Sequence, residues 1–87
     1  MAHTVALMKN RFNDCPFIFC IDKVNAYPSD FGEFDPDECT FTPSPLTSIK
    51  STLIGFGLTP EEGLAIQKLL ANFIALYPHG SKIVEEV

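Results

Sequence analysis

Tryptophan is absent from this chain, and bases are scarce: six lysines and arginines stand against eleven acids, for a net charge of −5. Those bases (Lys9, Arg11, Lys23, Lys50, Lys68, Lys82) are scattered singly. A phosphate backbone is gripped by clustered cations, so direct nucleic-acid binding is not expected. Anionic membrane surfaces repel such a chain for the same reason. Long apolar runs are missing too. The richest segment, Leu64 to Tyr77, is interrupted by Gln67, Lys68 and Asn72, and a spanning helix needs about 20 apolar residues. The opening "MAHTVALMKNRFND" has no basic stretch leading into a continuous apolar one, so it reads as no secretory signal. Three cysteines, Cys15, Cys20 and Cys39, form an odd set. Together these features predict reduced thiols and a cytoplasmic protein.

The signatures of chemistry are equally thin. Structural zinc starts from paired C-x2-C knuckles; the nearest approach here is Cys15-x4-Cys20 with Cys39 and either His3 or His79. A calcium loop would need D-x-D-x-D-G spacing, but Pro36 separates Asp35 from Asp37 and Gly32 precedes the acids. Asp30–Gly32 spells the DFG triplet without the other parts of a kinase. Gly55 and Gly57 lie in "IGFGL" without the Lys-Ser/Thr that completes a phosphate loop. No catalytic residue, metal ligand or cofactor site is therefore assigned, and the chain is not expected to be an enzyme. The rival expectation is a small cytosolic enzyme built on a cysteine or histidine.

What is present is apolar surface. Hydrophobic residues make up 46% of 87 residues, eight of them phenylalanine, which excludes a disordered chain. The length fits one domain, residues 1–87. "HTVALMK" (3–9) and "FIFCIDKV" (17–24) read as strands of an antiparallel hairpin, with "ECTFT" (38–42) available as a third. In the second run Phe17, Phe19 and Ile21 share one face, Ile18, Cys20 and Val24 the other; both are apolar, as in a doubly covered or interfacial strand. Leu46, Ile49, Leu53 and Ile54 then recur at helical spacing, with Ser44 as N-cap before Pro45, and Gly55 and Gly57 at the end. "LTPEEG" opens a second helix: Thr59 caps, Pro60 takes the first position and Glu62 completes a capping box. Pro78 and Gly80 stop it. The fold class is α+β, with two or three N-terminal strands packed on two C-terminal helices.

Two candidate surfaces emerge. The second helix is apolar around most of its circumference, more than a small sheet covers, so Ile66, Leu70, Phe73, Ile74 and Tyr77 are expected to form a homo-oligomer interface. The stretch "AYPSDFGEFDPDECTFTP" (26–43) threads four aromatic rings through five carboxylates and contains no base. One reading is a loop pinned on its own core by Phe31, Phe34 and Phe41. The sharper one is a docking loop for a protein partner, using Tyr27, Asp30, Phe31, Glu33, Phe34, Asp35, Asp37 and Glu38: rings supply affinity and charge speeds encounter. The expected function is a non-catalytic, acidic interaction module, an inhibitor or adaptor of a protein. Virus- and phage-encoded regulators of host proteins often have this size. A nucleic-acid mimic that blocks a DNA- or RNA-binding protein is a variant of that reading.

Overall fold

The computed structural model describes residues 3–9, 17–76 and 82–87. Among the described residues, six strands and two α-helices build an α+β fold in two layers. The main sheet is antiparallel, with strands β1 (Thr4–Lys9), β2 (Phe17–Ile21), β3 (Val24–Ala26) and β6 (Lys82–Glu86) in the order β3-β2-β1-β6. A separate two-stranded sheet pairs β4 (Gly32–Asp35) with β5 (Thr40–Pro43). Helices α1 (Lys50–Phe56) and α2 (Pro60–Leu76) complete the fold.

Alternation dictates which face of the main sheet is covered. Val5 and Leu7 of β1 lie beside Phe17, Phe19 and Ile21 of β2, and all five are buried. Against them α2 lays Ile66, Leu70, Phe73 and Ile74. Ring packing ties the layers: Phe17 meets Phe73 edge-on at 5.3 Å between centroids and Phe34 at 5.3 Å. Phe31 packs edge-on against Phe19 at 5.7 Å.

Two local signals appear in the structure as their residues specify. In the capping box of α2, Thr59 N–H donates to Glu62 Oε1 at 2.8 Å and Glu62 N–H donates to Thr59 Oγ1 at 3.2 Å. Gly57 closes α1 in the left-handed region, at φ 68°. Gly63 is buried in α2 where an added Cβ would meet Leu53 Cδ2 at 2.5 Å, so its missing side chain lets α1 and α2 approach.

Elsewhere the structure corrects the expectation. The run 17–24 is two strands, because Asp22 (φ 52°) and Lys23 (φ 67°) form a tight turn with both residues left-handed. That is the turn geometry whose twist suits a two-residue hairpin. Asp22 tolerates it because its carboxylate is held from across the strand, as shown below. Val24 thereby leaves the face assigned to it and pairs with Ile21. The 38–42 segment becomes β5, which joins β4 rather than the main sheet. Ser44 caps nothing; Pro45 leads into a 3-10 turn, Leu46–Ile49, and the α-helix starts only at Lys50. Strand β6, which the sequence did not suggest, pairs with β1 along its length. Pro78 and Gly80 lie outside the described residues, and α2 runs to Leu76.

The broad apolar circumference of α2 is also explained. The main sheet covers one side, α1 and the β4–β5 hairpin the others, and Ile66, Leu70 and Phe73 are 0% exposed with Ile74 at 2%. These four side chains are the interior of the domain, so a second copy has no access to them without opening it. Tyr77, the fifth member of that expected interface, lies outside the described residues.

Candidate functional site

The 26–43 stretch is organised rather than looped. A 3-10 turn, Pro28–Asp30, leads into the β4–β5 hairpin. Asp30 holds the turn, its Oδ2 accepting from Tyr27 N–H at 3.2 Å. Period-two alternation then sorts the side chains. Phe34 and Phe41 face each other across the two strands and pack against the core. Glu33, Asp35, Thr40 and Thr42 are exposed, with Glu33 opposite Thr42 and Asp35 opposite Thr40. These four residues, with Phe34 and Pro36, line an open, shallow concavity of about 450 Å³. At the tip, Asp35 Oδ1 accepts from Asp37 N–H at 2.9 Å and from Glu38 N–H at 3.3 Å, fixing the turn by side chain. Cys39 closes it at φ 56°.

Of the residues expected to meet a partner, the structure therefore exposes Tyr27 (62%) and brings Glu33, Asp35, Asp37 and Glu38 together on the hairpin. Phe31 is removed from that surface: it is 0% exposed, deep against Phe19. Phe34 is half-buried with its edge on Phe17, and Asp30 is half-buried in its turn.

Gln67, absent from the expected site residues, anchors the hairpin. It is 2% exposed on α2, and its Nε2 donates to Phe31 O and Ser44 O, both at 2.8 Å. Two carbonyls demand a donor, which fixes the amide orientation. The two acceptors bracket β4 and β5, and Ser44 N–H also donates to Phe31 O at 3.2 Å. The available signal was only that Gln67 interrupts the apolar segment from Leu64 to Tyr77.

The second polar constellation centres on His3. Its Nδ1 lies 2.6 Å from Asp22 Oδ2 and its Nε2 lies 3.6 Å from Glu62 Oε2. Asp22 Oδ1 also accepts from Thr4 N–H at 3.0 Å. The hydrogen bond to Asp22, helped by the nearby Glu62 charge, raises the His3 pKa, while the same bond lowers that of Asp22. Glu62 is lowered chiefly by accepting from Thr59 N–H. Both ring nitrogens thus face carboxylates, an arrangement that holds an imidazolium and joins β1, the β2–β3 turn and the start of α2. It acts as a clasp between these three elements.

Cys20 Sγ donates to Asn25 Oδ1 at 3.4 Å, and Cys39 Sγ to Ile74 O at 3.8 Å; both thiols are free. Cys15 and His79 lie outside the described residues. Among the described residues, no three His, Cys, Asp or Glu side chains are placed to hold a metal ion, and no helix is long and apolar enough to cross a membrane. Comparison with protein-family models, curated proteins and solved structures finds no match to this chain.

Proposed function

We propose that this chain is a non-catalytic, acidic protein-interaction module, an inhibitor or adaptor that docks a basic protein surface through the outer face of the β4–β5 hairpin. One observation carries the reading. The hairpin turns its rings inward and presents Glu33, Asp35, Asp37 and Glu38 outward, with no base anywhere in residues 26–43. Such a patch attracts a cationic partner over a distance set by screening. Tyr27 adds an exposed ring with a polar tip, a residue type that contributes heavily at interfaces. Folded this way, affinity would rest on the carboxylates and Tyr27, and the buried phenylalanines would hold the hairpin in shape.

The test uses partners captured from native lysate on the immobilised chain, compared with Asp35→Asn/Asp37→Asn. Asparagine keeps an Oδ1 acceptor, so the Asx turn at Asp35 survives the substitution. The expected result is a slower association rate and a flatter salt dependence, with thermal stability unchanged. A captured partner whose association rate and salt dependence are the same for both chains overturns the proposal.

A further inference from the structure

Among the described residues, the outer edge of β6 pairs with no other strand. Strand β6 ends the main sheet, with β1 on its one paired side. His3 and Val87 exchange both backbone hydrogen bonds, at 2.8 and 2.9 Å. Antiparallel ladders alternate bonded and non-bonded pairs, and the register is Val5↔Glu85, Ala6↔Val84 and Leu7↔Ile83. Ile83 and Glu85 therefore bond to β1, while the N–H and C=O groups of Lys82, Val84 and Glu86 point to the open edge. Their side chains share the sheet face away from α2, beside Met8, Ala6 and Thr4 in turn. Val84 is 52% exposed there.

We infer that β6 associates with β6 of a second copy, antiparallel and centred on Val84, extending the sheet across a two-fold axis. Three features select this occupant and this register. Centring on Val84 sets Val84 against Val84 and Lys82 against Glu86 at both ends, so every outward backbone group between them meets a partner. Shifting the centre by one residue, to Ile83 or Glu85, sets Lys82 or Glu86 against Val84 and loses both charge pairs. The charges agree with the geometry. A strand guarded against edge pairing carries like charges that repel when it meets its own kind, but Lys82 and Glu86 carry opposite signs at equal distance from Val84. Self-pairing then brings cation to anion twice. The opposite edge offers no such site: β3 has three residues, and Pro28, just beyond it, has no N–H. This inference is independent of the acidic hairpin.

Sedimentation equilibrium on the full chain tests it. The expected species is a weak dimer of twice the 9.6 kDa chain mass, with a Kd on the order of 100 µM for so narrow an interface. Val84→Pro removes an outward N–H without touching a bond to β1, and should abolish the dimer. Lys82→Glu sets two carboxylates together and Glu86→Lys two ammonium groups. Each should weaken association about tenfold, and the two combined should restore it to within about threefold. Restoration by the double exchange requires this register, and it decides the matter should Val84→Pro unfold the domain. A chain that stays monomeric to about 1 mM, or a dimer indifferent to the charge exchanges, overturns the inference.

Discussion

Gln67→Met removes one amide and keeps the length and flexibility of the side chain. In the native protein that amide makes two hydrogen bonds of 2.8 Å to Phe31 O and Ser44 O. Phe31 O would still accept from Ser44 N–H, so the change leaves one carbonyl, Ser44 O, without its partner. Two lost bonds at about 1 kcal/mol net each, with a partial desolvation term for Ser44 O, sum to about 2–3 kcal/mol. A domain of this length holds roughly 4–13 kcal/mol in total. The expected melting temperature therefore falls by about 10–20 °C. Urea unfolding followed by circular dichroism should show a lower midpoint with an unchanged slope, since the native state still buries the same surface. Gln67→Glu supplies the contrast. An ionised carboxylate facing two carbonyls is repelled, which raises its folded pKa. Relative to the parent at equal pH, that variant should be least destabilised below about pH 4.3, the unfolded value, and should lose stability as pH rises through the folded value. A Gln67→Met protein within about 0.5 kcal/mol of the parent would refute the clamp, because two buried bonds should exceed that.

Two further outcomes follow from the geometry. At Gly32 an added Cβ would press on Thr42 O and lie 2.9 Å from Pro43 Cα, both backbone atoms that cannot swing away; Gly32→Ala should destabilise by about 2–3 kcal/mol and loosen the hairpin, read as faster amide exchange in β4 and β5. The His3–Asp22 pair gives a pH window. His3, raised above 6.5, contributes fully below that value and loses its contribution as pH climbs through its folded pKa, while Asp22, lowered from 3.8, contributes above that value and fails as pH falls. Stability relative to His3→Gln should thus be greatest between those two values, and a difference that grows above pH 7 would refute the clasp.

Local chemistry was the legible part of this sequence. The Thr59–Glu62 box lies within one turn of helix, and its residues alone specify it. Non-local pairing was not legible. Strand β6 reads as "KIVEE", with charges at both ends and nothing to nominate β1 as its neighbour. The β4–β5 hairpin carries a two-residue period in "EFD" and "TFT", yet each run is too short to outweigh four prolines nearby. The sequence leaves Phe31 open between a core pin and a docking ring, because acids surround it in sequence; in space its neighbours are Phe19 and Phe56, as the pinned reading expects. Gln67 looked peripheral on a helical wheel, since a wheel carries no information about carbonyls delivered from residues 31 and 44. The acidic patch was legible as composition, and its outward orientation came only with the fold.

The embrace of His3 by Val87 has a consequence in time. Strand β1 sits between β2 and β6, so β1 waits for a partner strand that begins 78 residues later in the chain. At roughly 5–20 residues per second, several seconds separate their appearance. Throughout that interval β1 has at most one strand neighbour, β2, and the apolar residues Val5 and Leu7 wait on α2 as well. Long-range pairing of this kind slows folding. A nascent chain stalled before Lys82 should therefore display an exposed Val-Ala-Leu-Met edge to any chaperone that reads extended apolar segments.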